Sequence, residues 1–222
     1  MTKSEVQQRI LEIGIVPVVR AASAEQAILA AEAVASGGIP IVEITMTVPG
    51  AIEVIKKLVR TLGGQVLIGA GTVLDAGTAA GCIEAGAEFL VSPGFDRETV
   101  QLAQRSGKLM MAGALTPTEV IAAYKAGSDF VKIFPCGNVG GPAYIKALKA
   151  ALPRIPMIPT GGVNLATAAD FLRAGASALG AGSELVSRAL LEAGNRAALA
   201  ELAGRFLKVV REARQSDQAH VA

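Results

Sequence analysis

Short apolar runs alternate with amphipathic segments along the chain. The runs begin at Ile15 (IVPVVRA), Ile39 (IPIVEITM), Val66 (VLIGAGT) and Glu88 (EFLVSPG), and continue at Lys108 (KLMMAGAL), Asp129 (DFVKIFP), Pro156 (PMIPTGG) and Ala178 (ALGAGS). Runs that stay apolar on consecutive positions are the pattern of parallel strands covered on both faces. Most of the segments between them, such as SAEQAILAAEAVASGG and TPTEVIAAYKAGS, start on a polar residue or Pro, place apolar side chains three and four apart, and stop near Gly. Ahead of the first run, residues 1–14 read as an amphipathic helix with Val6, Ile10 and Ile13 on one side.

Eight strand–helix units in 222 residues leave about 28 residues each, the lean end for a (β/α)8 barrel. The pattern therefore predicts an α/β fold: one TIM-barrel domain over residues 1–222, with an additional N-terminal helix closing one end and a polar tail over 215–222 that frays. A doubly wound open sheet is the alternative that strand counting leaves open. In a barrel the functional groups gather where strands end and βα-loops begin. The polar residues at those ends are Arg20, Glu43, Thr45, Thr72, Ser92, Lys132, Thr160 and Ser183.

Composition changes this picture mainly by exclusion. Hydrophobic residues make up 51% of the chain and charged residues 18%, enough for a large core and too apolar for disorder. A net charge of +2 gives no reason to expect nucleic acid or an anionic membrane as a partner. No run approaches a bilayer-spanning length, and no leader-like segment follows Met1, so a cytoplasmic location is expected. Cys82 and Cys136 stand far apart without metal spacing and read as reduced thiols, Cys136 as packing beside the lysine strand. The single histidine, His220, lies in the tail, so a metal centre is not expected.

Two charges interrupt apolar strands. Lys132 lies among Phe130, Val131, Ile133 and Phe134, and Glu43 among Ile41, Val42, Ile44 and Met46. Burial disfavours the charged form of each. A desolvated lysine can attack a ketone and form a Schiff base, and a desolvated carboxyl can act as general acid and base. The competing reading is a buried structural ion pair between the two. Taken together at a barrel mouth, the pair favours catalysis.

The segments VEITMTVPGA, IGAGTVL, EFLVSPG, FVKIFP and PTGGVN, in that order and spacing, resemble the family of 2-keto-3-deoxy-6-phosphogluconate (KDPG) and 4-hydroxy-2-oxoglutarate (KHG) aldolases. The resemblance runs from about Ile10 to Arg211. It implies a class I aldolase without cofactor or metal, a lyase that reversibly cleaves KDPG to pyruvate and D-glyceraldehyde 3-phosphate and works as a homotrimer. By the same resemblance Lys132 is the Schiff-base lysine, Glu43 the general acid/base, Thr72 a contact to the pyruvate carboxylate, Thr160 a contact to a substrate hydroxyl and Phe134 the wall beside the lysine. Phosphate would lie on Gly161, Gly162, Gly182 and Ser183, which agrees with the phosphate-binding loops that barrels form after strands seven and eight.

Two departures from the family pattern matter. Many members read LRT after the glutamate, with an arginine that grips the substrate carboxylate; here Thr47 stands in its place, and Arg20 of VVRA is assigned that role. The segment NVGGPAYIKALKAALP looks equally like relatives that cleave the phosphogalactonate epimer, whereas Thr160 leans toward gluconate. The other readings are a phosphosugar isomerase or epimerase and a non-catalytic phosphate-binding barrel, neither of which needs an imine.

Overall fold

The computed structural model describes residues 1–219. Eight parallel strands form the centre: β1 (Ile15–Val19), β2 (Ile41–Thr45), β3 (Leu67–Gly71), β4 (Phe89–Val91), β5 (Leu109–Ala114), β6 (Phe130–Ile133), β7 (Met157–Pro159) and β8 (Leu179–Ala181). Each lies within one of the eight apolar runs, and every strand residue is buried. The order β7-β6-β5-β4-β3-β2-β1-β8 follows the chain around a ring. A parallel bridge between Thr160 and Gly180 joins β7 to β8 and closes the ring. The fold is a (β/α)8 barrel, and the open-sheet alternative falls at that closure.

Helices cover the outside: α2 (Ala24–Ser36), α3 (Ala51–Leu62), α4 (Ala76–Glu84), α5 (Arg97–Arg105), α6 (Pro117–Lys125), α7 (Pro142–Ala151) and α8 (Ala168–Arg173), with α9 (Arg188–Glu192) and α10 (Arg196–Ala219) after the last strand. Their starts follow local chemistry. Ser23, Asp75 and Asp96 accept hydrogen bonds from the free backbone N–H three residues on, and Thr116 and Glu119 form a capping box around Pro117. The apolar side of α8 is used within the chain, since Ala168, Phe171 and Leu172 are buried. The fraying tail expected from Gln215 falls on the end of α10 and, past Ala219, outside the described residues, as does His220.

The N-terminal helix α1 (Lys3–Ile13) crosses the barrel end opposite the βα-loops. Lys3 Nζ reaches Asp129 Oδ1, just before β6, at 2.8 Å, and Arg9 bonds the carbonyl of Gln65, just before β3. Val6 and Ile10 are its buried residues. Arg214 of α10 ties this end together, donating to the carbonyls of Glu12 and Ser177 at 3.0 Å each and to that of Leu11. Arg214→Ala leaves these acceptors without their cation and should cost about 1–3 kcal/mol. Urea denaturation checks this; an unchanged midpoint would mean that the clasp contributes nothing.

Candidate active site

In a ring of eight, β2 and β6 stand diametrically opposite each other. Glu43 projects from β2 and Lys132 from β6, so residues 89 positions apart in sequence come to share the barrel interior. They are 3% and 2% exposed. They do not form the structural ion pair that the sequence left open: among the described residues no carboxylate lies in bonding contact with Lys132. Glu43 Oε1 is fully buried without a hydrogen-bond partner. Burial drives the Glu43 pKa upward, and the charges of Lys132 and then Arg20 pull it partly back. The result is a carboxyl group poised to exchange its proton.

Space for Glu43, and for Thr160 after β7, comes from glycines on neighbouring strands. A Cβ on Gly71 would lie 1.8 Å from Glu43 Oε1, and one on Gly180 would lie 2.1 Å from Thr160 Oγ1. Gly71 of GAGT and Gly180 of ALGAGS therefore leave the room that Glu43 and Thr160 occupy in a packed barrel.

Above this layer a cleft of about 310 Å³ opens at the strand C-termini. It brings together Arg20, Phe134, Thr160, Gly161, Gly162, Gly182 and Ser183. Phe134 links the two levels, its ring centroid 5.2 Å from Lys132 Nζ. Thr160 is held by its backbone, donating to Ile133 O and accepting from Cys136 N, both at 2.9 Å. Gly161 and Gly162 take φ of 87° and 78° in succession, a left-handed pair that glycine adopts without strain. Thr72 does not line this cleft. It follows Gly71 directly, beside Glu43, and its φ of 55° makes it the one non-glycine residue with positive φ among those described. Such strain is characteristic of functional positions.

Several features escaped the sequence reading. Val18, Val163, Glu184, Val186 and Arg188 also line the cleft. Arg188 lies five residues beyond Ser183, and the rule that barrel loops carry function was the signal that could have found it. Thr47, where many related sequences have arginine, bonds Thr45 Oγ1 at 2.6 Å and lines an adjoining cleft with Arg20 and Arg188. Ser92, a strand-end candidate, is engaged structurally, donating to Gly94 O at 2.6 Å. Cys136 is buried and its thiol pushed up to about 12, in keeping with packing. Tyr144 donates to the carbonyl of Leu115, and Tyr124 is exposed on the outside.

A family model described as KDPG and KHG aldolase matches residues 6–202. The chain belongs to this aldolase family. A 2-dehydro-3-deoxy-phosphogluconate aldolase of Pseudomonas aeruginosa is 33% identical over 204 residues, covering 92% of each chain. A 2-dehydro-3-deoxy-6-phosphogalactonate aldolase of Escherichia coli is 34% identical over 206 residues, covering 92% of this chain and 98% of that one. The crystal structure of KDPG aldolase from Legionella pneumophila, with pyruvate captured as a covalent carbinolamine intermediate, superposes with a TM-score of 0.80 at 29% identity, covering 89% and 96% of the two chains.

The raised pKa of Glu43 has a testable sign. Its proton is held more tightly in the folded than in the unfolded chain. The stability this contributes is full below the ordinary value of 4.5 and is lost as pH rises through the higher folded value. Glu43→Gln should therefore unfold at higher urea than the wild type at neutral pH, with the difference vanishing in acid. The same variant should lose roughly 10²- to 10⁴-fold in kcat. A stability difference that does not depend on pH would contradict this account of the buried carboxyl.

Proposed function

We propose that this chain is a class I aldolase that reversibly cleaves KDPG to pyruvate and D-glyceraldehyde 3-phosphate through an imine at Lys132. The observation that carries the reading is a lysine buried in the barrel facing an unpartnered buried carboxyl, under a cleft of glycine loops after β7 and β8. The covalent pyruvate intermediate of the Legionella relative supports the same chemistry here.

The free amine of Lys132 adds to the C2 ketone, and loss of water from the carbinolamine leaves an iminium. The C4 hydroxyl gives its proton to Glu43 as the C3–C4 bond breaks. The bond's electron pair moves toward the iminium nitrogen, forming an enamine and releasing the aldehyde. Glu43 then returns the proton to C3, and water hydrolyses the imine to pyruvate. Phe134 walls the lysine, Thr160 meets a substrate hydroxyl and Thr72 meets the carboxylate. Arg20 adds a positive charge toward the acid end in place of the arginine missing at Thr47. The phosphate rests on Gly161, Gly162, Gly182 and Ser183.

KHG cleavage to pyruvate and glyoxylate is the expected second activity. The single barrel domain is proposed to act as a cytoplasmic homotrimer, the form the family resemblance implies. No helix among the described residues is long and apolar enough to cross a membrane.

Pyruvate with sodium borohydride should leave a reduced adduct on the peptide that contains Lys132. Lys132→Met should abolish both adduct and cleavage. An adduct confined to a surface lysine, or none, would leave the isomerase or phosphate-binding readings. On the two C4 epimers, kcat/KM should favour the phosphogluconate over the phosphogalactonate substrate. Thr160→Ala should narrow that preference; a preference for the galactonate epimer in the wild type would reverse the assignment.

A further inference from the structure

Arg20 and Arg188 are the two residues shared by the main cleft and the adjoining one, so two guanidinium groups stand on the partition between them. The remaining polar groups of the main cleft include a threonine, a serine, glycine backbone and Glu184. Hydroxyls and backbone N–H groups orient a phosphate but do not neutralise it. Lys132 is buried behind Phe134 and reserved for the imine. Arg20 lowers the pKa of Glu43 by its charge and is already assigned to the substrate carboxylate. Arg188 is the other cation that lines the cleft, together with Gly161, Gly162, Gly182 and Ser183.

Its geometry suits that task. The Nε of Arg188 donates to Glu192 Oε1 one turn along α9, at 2.7 Å. That bond uses one edge of the guanidinium, and among the described residues its two terminal amino groups make no further hydrogen bond. A fork held by Nε with both terminal nitrogens open can grip two oxygens of one phosphate. The ion pair is solvent-exposed, with side chains 86% and 53% accessible, so it contributes little to stability. Arg188 is thus poised for a ligand and nearly idle in the fold.

We propose that Arg188 binds the substrate phosphate, that Glu192 positions it, and that this pair sets the preference for phosphorylated over unphosphorylated 2-keto-3-deoxy sugar acids. The proposal rests on the aldolase reading of the same cleft. The test compares wild type, Arg188→Ala, Arg188→Lys and Glu192→Gln on KDPG and on unphosphorylated 2-keto-3-deoxygluconate, alongside the affinity for inorganic phosphate measured by calorimetry.

Arg188→Ala should raise KM for KDPG about 10- to 100-fold with kcat nearly kept, lowering the phosphorylated-to-unphosphorylated ratio of kcat/KM by the same factor. Arg188→Lys should recover part of the loss, and Glu192→Gln should show a smaller rise in KM. An unchanged ratio in Arg188→Ala would overturn the proposal. Phosphate affinity separates this proposal from the reading beneath it. If the wild type cleaves neither substrate, the aldolase reading fails, yet weaker phosphate binding in Arg188→Ala still supports the arginine's role, and unchanged binding refutes it.

Discussion

The structure depends on the burial of two ionisable side chains inside a closed barrel. A barrel interior is ordinarily filled by layers of apolar side chains, and an unpaired charge there is expensive. Here the interior carries Glu43 and Lys132 from opposite strands, and Glu43 has no hydrogen-bond partner at Oε1. The neighbouring strand accommodates Glu43 by giving up a side chain at Gly71, and Gly180 does the same for Thr160 at the barrel's closure. Desolvation that would be a defect in a structural core is what raises the pKa of Glu43, the property that the proposed general acid and base needs.

The remaining architecture serves that interior from two sides. Below it, α1 crosses the strand starts and Arg214 fastens it to the rest of the barrel. Above it, the ring closes through the bridge between Thr160 and Gly180, where the cleft lies. The last closure of the fold and the outer part of the site are thus the same piece of chain. The positive-φ glycines that follow Thr160 turn the backbone at this point.

Most of the fold was legible because parallel strands buried on both faces leave an unbroken apolar signature, and all eight lie where the runs do. Lys132 and Glu43 were legible for the same reason: a charge inside such a run is conspicuous. A residue whose meaning comes from what it faces carries no such local mark. GAGT and ALGAGS were legible as motifs, but not the fact that their glycines make room for Glu43 and Thr160. Arg188 passed unnoticed because an exposed arginine at a helix start resembles any other solvated charge. Ser92, at a strand end like the rest, turned out to be committed to the backbone of Gly94.

The sequence by itself determined the strand count, the alternation with helices, the family and the two charges set inside apolar strands. Each of these is a local pattern, set by the periodicity of burial along the chain. Only the tertiary structure decided that the sheet closes and that β2 and β6 face each other. It also decided that Glu43 and Lys132 remain unpaired, and that Arg20 and Arg188 share one wall. Those relations hold between residues far apart in sequence, and ring closure, which no stretch of the chain encodes alone, brings them together.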